Sequence, residues 1–563
     1  MDNNESSSRE NSLGTADFKS FVDENMNSHS VNTSKILGQG GQGIVYRTED
    51  SNIALKLALK DGQEITDPEE IEKFRQNIKK LLLLQLPKDI KVSAPISILY
   101  DKAGYIMKML STAKSFEFFQ PKNIVFHYFP DFDENVNSLL SSDLYKLLIS
   151  ENEKNADEDS LNKNEKLIII NKNERELFFS NENSHPLLRY ALTGGVRLRT
   201  FALGQAASQM ARLHSLGLVY GDISSKNVYF VPDNGNKTTV WFIDADNLDY
   251  EKKRGIVVYT PQYGAPELIQ RSPDGNTIDG IRSVSDCHAF SVLVSLVLSW
   301  VHPFIGKAVL DNDDFSDADD VEERALEGRL PWIDDPEDSS NQELKMNKAL
   351  PRSIIYTPYI KTLLKLTFCE GRTQPFLRPS IYNWVKALIQ AHDSTIKCQN
   401  PLCGMTLYHN GSSKIYKCAA CDTEFTKNYI ITFKSYRLTK KGRFKNYDWL
   451  WTKEISFQDD SFELNIPYRV FEPFDNRNFD NDFLTIRSKT KEIFCLQKNS
   501  NVITSKLYIA KKNNPQHSAF TEISINNFVI SIDDLKQIDN VWLMCVTKDG
   551  YHRLISINLQ GDI

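Results

Sequence analysis

The stretch LVYGDISSKNVYF, residues 218–230, sets Asp222, Lys226 and Asn227 in one short loop between two apolar pieces. A positioned carboxylate can accept a proton from a hydroxyl. An amide oxygen is a hard ligand suited to Mg²⁺, and an ammonium can meet a phosphate. A solvated turn would explain the polar residues but not the apolar anchors; a loop that holds a base and a metal ligand explains both. Asp244, seventeen residues after Asn227 in WFIDADN, offers a second hard oxygen. Plainer roles exist for each: Asp222 and Asn227 can cap turns, and Asp286 in SVSDCHAF can be a helix N-cap.

Upstream, GQGGQGIVY spaces Gly38, Gly40 and Gly43 as G-x-G-x-x-G, with Val45 two residues later. Glycines let backbone N–H groups approach phosphate oxygens without an intervening Cβ. A dinucleotide site would need a helix after the loop, but IVYRTED continues as a strand, so the motif is read as a β-hairpin lid. Lys56, thirteen residues beyond Gly43 in IALKLAL, is either an edge lysine that snorkels to water or an ammonium held for phosphates and steadied by a helix carboxylate. Glu72 on the next predicted helix is chosen for that carboxylate, with Glu69 and Glu70 as rivals.

The segment CQNPLCGMTLYHNGSSKIYKCAACDTEF has the spacing C-x4-C-x14-C-x2-C. Cys398, Cys403, Cys418 and Cys421 would place four thiolates on two knuckles, enough for a closed, structural Zn²⁺ site. His409 between them reads as a turn residue. Cys287, Cys369, Cys495 and Cys545 sit singly in apolar surroundings, which fits a reducing compartment with one metal site and hence the cytoplasm.

The elements that must position these groups fit a chain of several domains, since 563 residues exceed a single core. Apolar content of 40%, charged content of 25% and net charge −7 describe a soluble globular protein without a whole-chain pull toward nucleic acid or acidic membrane. The polar, acidic N-terminus is neither signal nor transit peptide, and residues 1–30 are expected to be disordered. The longest apolar run, 287–306, carries His288, His302 and Pro303 and is read as a buried core helix rather than a membrane span. PEEIEKFRQNIKKLLLLQL reads as a helix begun by Pro68, APISILYDKAGYIMKML as two strands, and RTFALGQAASQMARLHSLG as a helix ended by Gly217. Residues 150–186 are predicted as an insertion. Residues 427–563 alternate in short β-like pieces, and their basic, aromatic run SYRLTKKGRFKNYDW fits either a nucleic-acid track or a protected strand edge.

Taken in order, these motifs resemble the protein kinase family over residues 30–392. LGQGGQGIVY is similar to its glycine-rich loop, IALK to its nucleotide-lysine strand, YGDISSKN to its catalytic loop, and WFIDADN to its metal-binding segment. YTPQYGAPEL ends in Ala265-Pro266-Glu267 like an activation segment, and LRPSI supplies Arg378, the usual partner of Glu267. The resemblance implies an α+β, bilobal kinase-like fold with a β-rich N-lobe (31–110) and a helical C-lobe (111–392); the cysteine segment resembles a zinc ribbon (396–426), and the alternation after it reads as an all-β domain (427–563). The kinase resemblance implies that Asp222 and Lys226 are catalytic and that Asn227 and Asp244 bind Mg²⁺. It further implies that Gly38, Gly40, Gly43, Val45, Ala54, Lys56, Glu72 and the hinge residues Met107 and Met109 bind ATP, and that Glu267, Asp286 and Arg378 form the structural core.

The chain departs from that pattern at several points. Gly221 replaces the arginine before the catalytic Asp, so activity is expected not to require phosphorylation of Tyr259, Thr260 or Tyr263. Asp244-Ala245-Asp246 replaces Asp-Phe-Gly. Ser224 stands where serine/threonine kinases place lysine, and Lys226 lies nearer the position used by tyrosine and small-molecule kinases. The expected activity is serine/threonine protein phosphorylation by a cytoplasmic enzyme like the bacterial eukaryotic-like kinases of stress or phage defence, with protein substrates and a protein or nucleic-acid partner for the tail. A small-molecule kinase of aminoglycoside or choline type is the first alternative, disfavoured by Glu267 and Arg378. A non-catalytic ATP-binding scaffold is the second.

Overall fold

The computed structural model describes residues 18–40, 43–84, 86–87, 90–110, 112–120, 190–191, 193–231, 239–251, 259–269, 283–311, 318–343, 350–398, 400, 405–408, 415–419, 422–426, 429–441, 444–457, 463–467, 482–489, 492–497, 503–511, 520–524, 528–538, 540–547 and 552–560. The chain divides into two compact units: residues 1–113 with 241–249, and 114–240 with 250–563.

The first unit is an antiparallel sheet with one long helix. Strands β1 (Phe18–Val22), β2 (Ser28–Gly40), β3 (Gly43–Thr48), β4 (Ile53–Lys60), β7 (Gly104–Lys108) and β6 (Pro95–Ile98) lie in the order β1-β2-β3-β4-β7-β6, and β5 (Gln63–Glu64) pairs with β4. The sheet curls until its edges meet. Asp23 bridges to Leu99, the Tyr100 N–H donates to the Val22 carbonyl at 2.8 Å and the Glu24 N–H to Ile98 at 2.8 Å. Residues 18–30, expected to be disordered, thus carry strand β1 and the start of β2. Phe21 is buried with Val31, Ile44, Leu55, Leu57, Leu99 and Ile106 in one apolar cluster, and the surrounding Ser, Asn and Glu residues hide that single strand in a composition average.

Side chains alternate across a strand, so Leu55 and Leu57 enter this cluster while Ala54, Lys56 and Ala58 occupy the opposite face of β4. Helix α1 (Pro68–Leu82) starts where the Asp67 side chain accepts from the Glu69 N–H at 2.9 Å, with Pro68 at its first position.

In the second unit, the helix Ser283–Ser299 is buried on nearly every side, as an apolar run without a polar face must be. Among the described residues no helix is long and apolar enough to cross a membrane. The helix Gly195–Ser215 packs along Ile381–Asp393, and Gly217 follows it at φ +74, a left-handed exit that glycine takes without strain. A hairpin of Thr395–Lys397 and Thr406–Tyr408 seats on this helical body. The Arg197 N–H donates to Thr406 Oγ1 at 3.2 Å, Arg197 Nη1 to Thr395 Oγ1 at 3.0 Å, and the Tyr408 hydroxyl to the Ile355 carbonyl at 3.2 Å. A Cβ on Gly195 would stand 2.3 Å from Thr406 Oγ1, so only glycine permits this approach.

The tail is β-rich, as its alternation predicts, apart from the short helix Ile532–Gln537. A six-stranded and a four-stranded antiparallel sheet share one core that includes Ile431, Phe433, Ile486, Ile493, Leu543 and Ile557. The segment 150–186, predicted as an insertion, lies outside the described residues.

Candidate active site

The predicted site residues fall into two groups, one in each unit. In the first, Lys56 on β4 pairs in register with Val45 on β3 and Tyr105 on β7. Gly43 opens the space beside it: a Cβ there would meet Lys56 Cε at 2.8 Å and the Leu57 carbonyl oxygen at 2.9 Å. Gly38 and Gly40 face open space and shape the exposed end of the β2–β3 hairpin. Ala54 and Met107 are buried register partners, and Met109 donates its N–H to the Asn52 carbonyl at 2.8 Å.

The segment carrying Asp244 is fastened to this unit through Phe242. The Ser93 N–H donates to the Phe242 carbonyl at 2.7 Å, and the Phe242 N–H to Lys91 at 2.9 Å. Asp244 then adopts φ 57, ψ 57 ahead of the short 3₁₀ turn Ala245–Asn247. A left-handed non-glycine residue is uncommon, though aspartate takes this backbone more readily than most. The turn brings both Asp244 and Asp246 to the Lys56 ammonium, with Asp246 Oδ2 at 2.7 Å. The other Asp246 oxygen accepts from the Tyr105 hydroxyl at 2.6 Å.

Lys56 is 5% exposed, whereas Asp244 is 31% and Asp246 20% exposed. Burial alone would push the lysine toward its neutral form, but the charges of Asp246 and Asp244 outweigh it and raise its pKa. Two carboxylates on one ammonium leave a net negative charge, and the more exposed Asp244 is placed to share it with a cation.

Glu72, expected to steady Lys56, is exposed instead. It accepts from Gln76 Nε2 at 3.3 Å and lies 3.9 Å from Arg75 Nε. Of its rivals, Glu70 pairs with Lys60, and Glu69 is exposed at the helix start. The carboxylate that sequence reasoning missed is Asp246, whose signal was the second acid of Asp-Ala-Asp.

The second group is built around the loop after Gly217. The two apolar pieces, Leu218–Val219 and Val228–Val231, form short strands, the latter paired with Lys114–Ser115. Between them, the Tyr220 N–H donates to Asp286 Oδ2 at 2.8 Å and the Gly221 N–H to Asp286 Oδ1 at 2.9 Å; His214 Nε2 lies 3.0 Å from Oδ2. Gly221 has φ 83, so the residue at the departing arginine position also serves the turn.

Asp222 is buried, and both of its carboxylate oxygens are engaged. Oδ2 accepts from Asn227 Nδ2 at 2.9 Å, and Oδ1 accepts from the Thr260 hydroxyl at 2.6 Å. Asn227 Nδ2 also donates to the Asp222 carbonyl at 2.9 Å. This orientation commits the NH₂ end and leaves the amide oxygen as the acceptor suited to a hard cation. Lys226 is exposed. A cleft beside Asp222 is lined by Ile223, Tyr259, Tyr263, Gly264 and Leu268.

Below the loop, Arg378 and Glu267 form a two-pronged ion pair, 2.7 Å on each prong, with the arginine side chain fully buried. Arg378 also donates to the Gly371 and Val284 carbonyls at 2.8 and 3.1 Å. The pair is the one anticipated from APE and RPS.

Of the four cysteines, Cys398 and Cys418 are buried; Cys403 and Cys421 lie outside the described residues. Among the described residues no group of three or more His, Cys, Asp or Glu side chains stands as a metal site.

Compared with known proteins, a 107-residue stretch is 31% identical to ribosomal protein S6 kinase alpha-3 of Mus musculus and of Homo sapiens, covering 19% of this chain and 14% of those proteins. A stretch of the same length is 29% identical to ribosomal protein S6 kinase 2 alpha of Xenopus laevis. The chain thus matches about a seventh of the length of these relatives. No family model matches. Part of this chain is therefore protein-kinase-like.

Proposed function

We propose that this chain is an ATP-dependent protein kinase that transfers the γ-phosphate to serine or threonine hydroxyls. The observation that carries the reading is the Asp222 network: a buried carboxylate fixed by Asn227 and Thr260, on a loop whose backbone is gripped by Asp286. Phosphoryl transfer needs alignment and charge neutralisation more than covalent chemistry. Asp222 would orient the acceptor hydroxyl, and Lys226 would meet the transferred phosphate. Lys56 would take the inner phosphates, and Asp244 and Asn227 would each offer an oxygen to Mg²⁺, which neutralises phosphate charge when bound. The Glu267–Arg378 brace and the likeness to S6 kinases favour a protein acceptor over a small molecule.

The four cysteines would hold a structural Zn²⁺, and the β-rich tail would recruit a protein or nucleic-acid partner in the cytoplasm. Supporting the metal, the Asn400 N–H donates to Cys398 Sγ at 3.4 Å, and Asn400 Nδ2 reaches Thr423 Oγ1 at 3.4 Å, joining the two cysteine turns. Metal analysis of the purified chain and of a Cys398→Ser variant tests this assignment.

For catalysis, the purified chain is incubated with Mg-ATP beside Asp222→Asn and Asp244→Asn, and acceptor residues are mapped by mass spectrometry. Phosphate on serine or threonine in the wild type alone supports the reading. Equal incorporation in all three proteins, or none in the wild type, overturns it.

A further inference from the structure

The helix acids all have other occupations: Glu70 with Lys60, Glu72 with Gln76 and Arg75, and Glu69 in the exposed first turn. The buried ammonium of Lys56 still needs a fixed counter-charge, because an unpaired buried charge is costly. Its two partners differ. Asp244 is the more exposed, and the proposed chemistry asks it to turn to a cation. Asp246 is pinned at both oxygens, one by Lys56 at 2.7 Å and the other by the hydroxyl of Tyr105 at 2.6 Å. Tyr105 is itself fully buried, and Phe74 of α1 stacks on its ring at 6.5 Å between centroids.

We propose that Asp246 is a positioning residue: with Tyr105 it holds Lys56 in line for the nucleotide phosphates, the task a helix glutamate was expected to perform. This rests on the phosphotransfer reading above. Asp246 stays with the lysine when Asp244 is drawn to a metal, so the ammonium keeps its direction through the cycle. It also follows that the lysine's alignment does not depend on a carboxylate of α1, and swinging that helix would not switch the enzyme by breaking an ion pair.

The test compares Asp246→Asn, Asp246→Glu and a combined Glu69→Gln, Glu70→Gln, Glu72→Gln variant by Mg-ATP kinetics. Asp246→Asn is expected to lower kcat/KM for Mg-ATP about 10–100-fold, the range for losing one charge-assisted contact to a buried group. Asp246→Glu should recover part of that loss, and the triple glutamine variant should stay within about twofold of wild type, as exposed carboxylates do. A second measurement needs no catalysis. In a crystal structure of Asp246→Asn, Lys56 Nζ should leave its place beside residue 246 or occupy more than one position, whereas in the triple glutamine variant it should stay where it is.

A Lys56 side chain that keeps its single wild-type position in Asp246→Asn overturns the proposal. So does a triple glutamine variant that loses activity while Asp246→Asn keeps it. An Asp246→Asn defect fully cured by excess Mg²⁺ would make Asp246 a metal ligand and also overturn it. A wild type with no phosphotransfer would defeat the kinase reading instead, and the position of Lys56 in Asp246→Asn would still decide the role of Asp246.

Discussion

Asp286 lies 2% exposed at the start of the buried helix and accepts the backbone N–H groups of Tyr220 and Gly221, Tyr220 itself being 1% exposed. Asp286→Ala removes both acceptors at once. Each buried N–H deprived of its acceptor costs about 1–3 kcal/mol, so the pair amounts to about 2–6 kcal/mol held in the turn that enters the Asp222 loop. Asp286→Asn keeps one oxygen but turns an NH₂ toward the second donor, so it should lose about half as much. The loss is local, so it is best read by hydrogen exchange in a peptide covering residues 216–227. Release of 2 kcal/mol speeds exchange about 30-fold there, while the helix Ile381–Asp393 serves as the reference. Phosphotransfer should fall in the same order: wild type, Asp286→Asn, Asp286→Ala. If Asp286→Ala left exchange at Tyr220 and Gly221 within about twofold of wild type, the premise that these two bonds fix the loop would be refuted.

Gly43→Ala should lower phosphotransfer and cost about 1–3 kcal/mol in urea unfolding, because its Cβ meets the Leu57 carbonyl as well as Lys56, whereas Gly38→Ala should be mild. Equal effects at both positions would contradict the close-approach argument. Arg378→Ala should destabilise by about 3–5 kcal/mol, seen as a lower melting temperature, since it strands a partly buried Glu267. Arg378→Lys should not restore the loss, lacking the planar fork; a lysine variant that melts with the wild type would count against that. Burial lowers the pKa of His302 to about 4, although its bond to the Gln262 carbonyl works the other way. The unfolded chain then takes up this proton first as pH falls below about 6.5, so stability should drop between pH 6.5 and 4 by up to about 3 kcal/mol. His302→Gln should flatten that slope in pH-dependent unfolding, and an unchanged slope would clear His302 of the effect.

The residues of the Asp222 loop were legible because they lie close together in the sequence. Asp222 and Asn227 stand five apart between two apolar strands, close enough in the chain for the amide to reach the carboxylate. Glu267 and Arg378 lie 111 residues apart and were found only by resemblance, since spacing says nothing about so distant a pair. The partner of Lys56 was misplaced for a different reason. Helical periodicity shows that α1 has an inner face but not how it is rotated about its axis, so Glu69, Glu70 and Glu72 could not be ranked. Asp246 owes its position to the left-handed Asp244, a backbone choice that side-chain pattern does not announce. The strand at Phe18 was hidden by polar neighbours, although Phe21 sits in the apolar cluster.

The helix Gly195–Ser215 has a further consequence. Its 21 residues make a rod about 31 Å long. One end is clasped by Thr395 and Thr406 of the cysteine-flanked hairpin; the other carries His214 against Asp286. A chain trimmed after Asp393 would keep every side chain of the proposed active site and still lose the clasp at the far end of that rod. The smallest fragment worth expressing for enzymology therefore ends beyond Tyr408, and whatever grips the hairpin from outside takes hold of the same shaft that reaches the Asp222 loop.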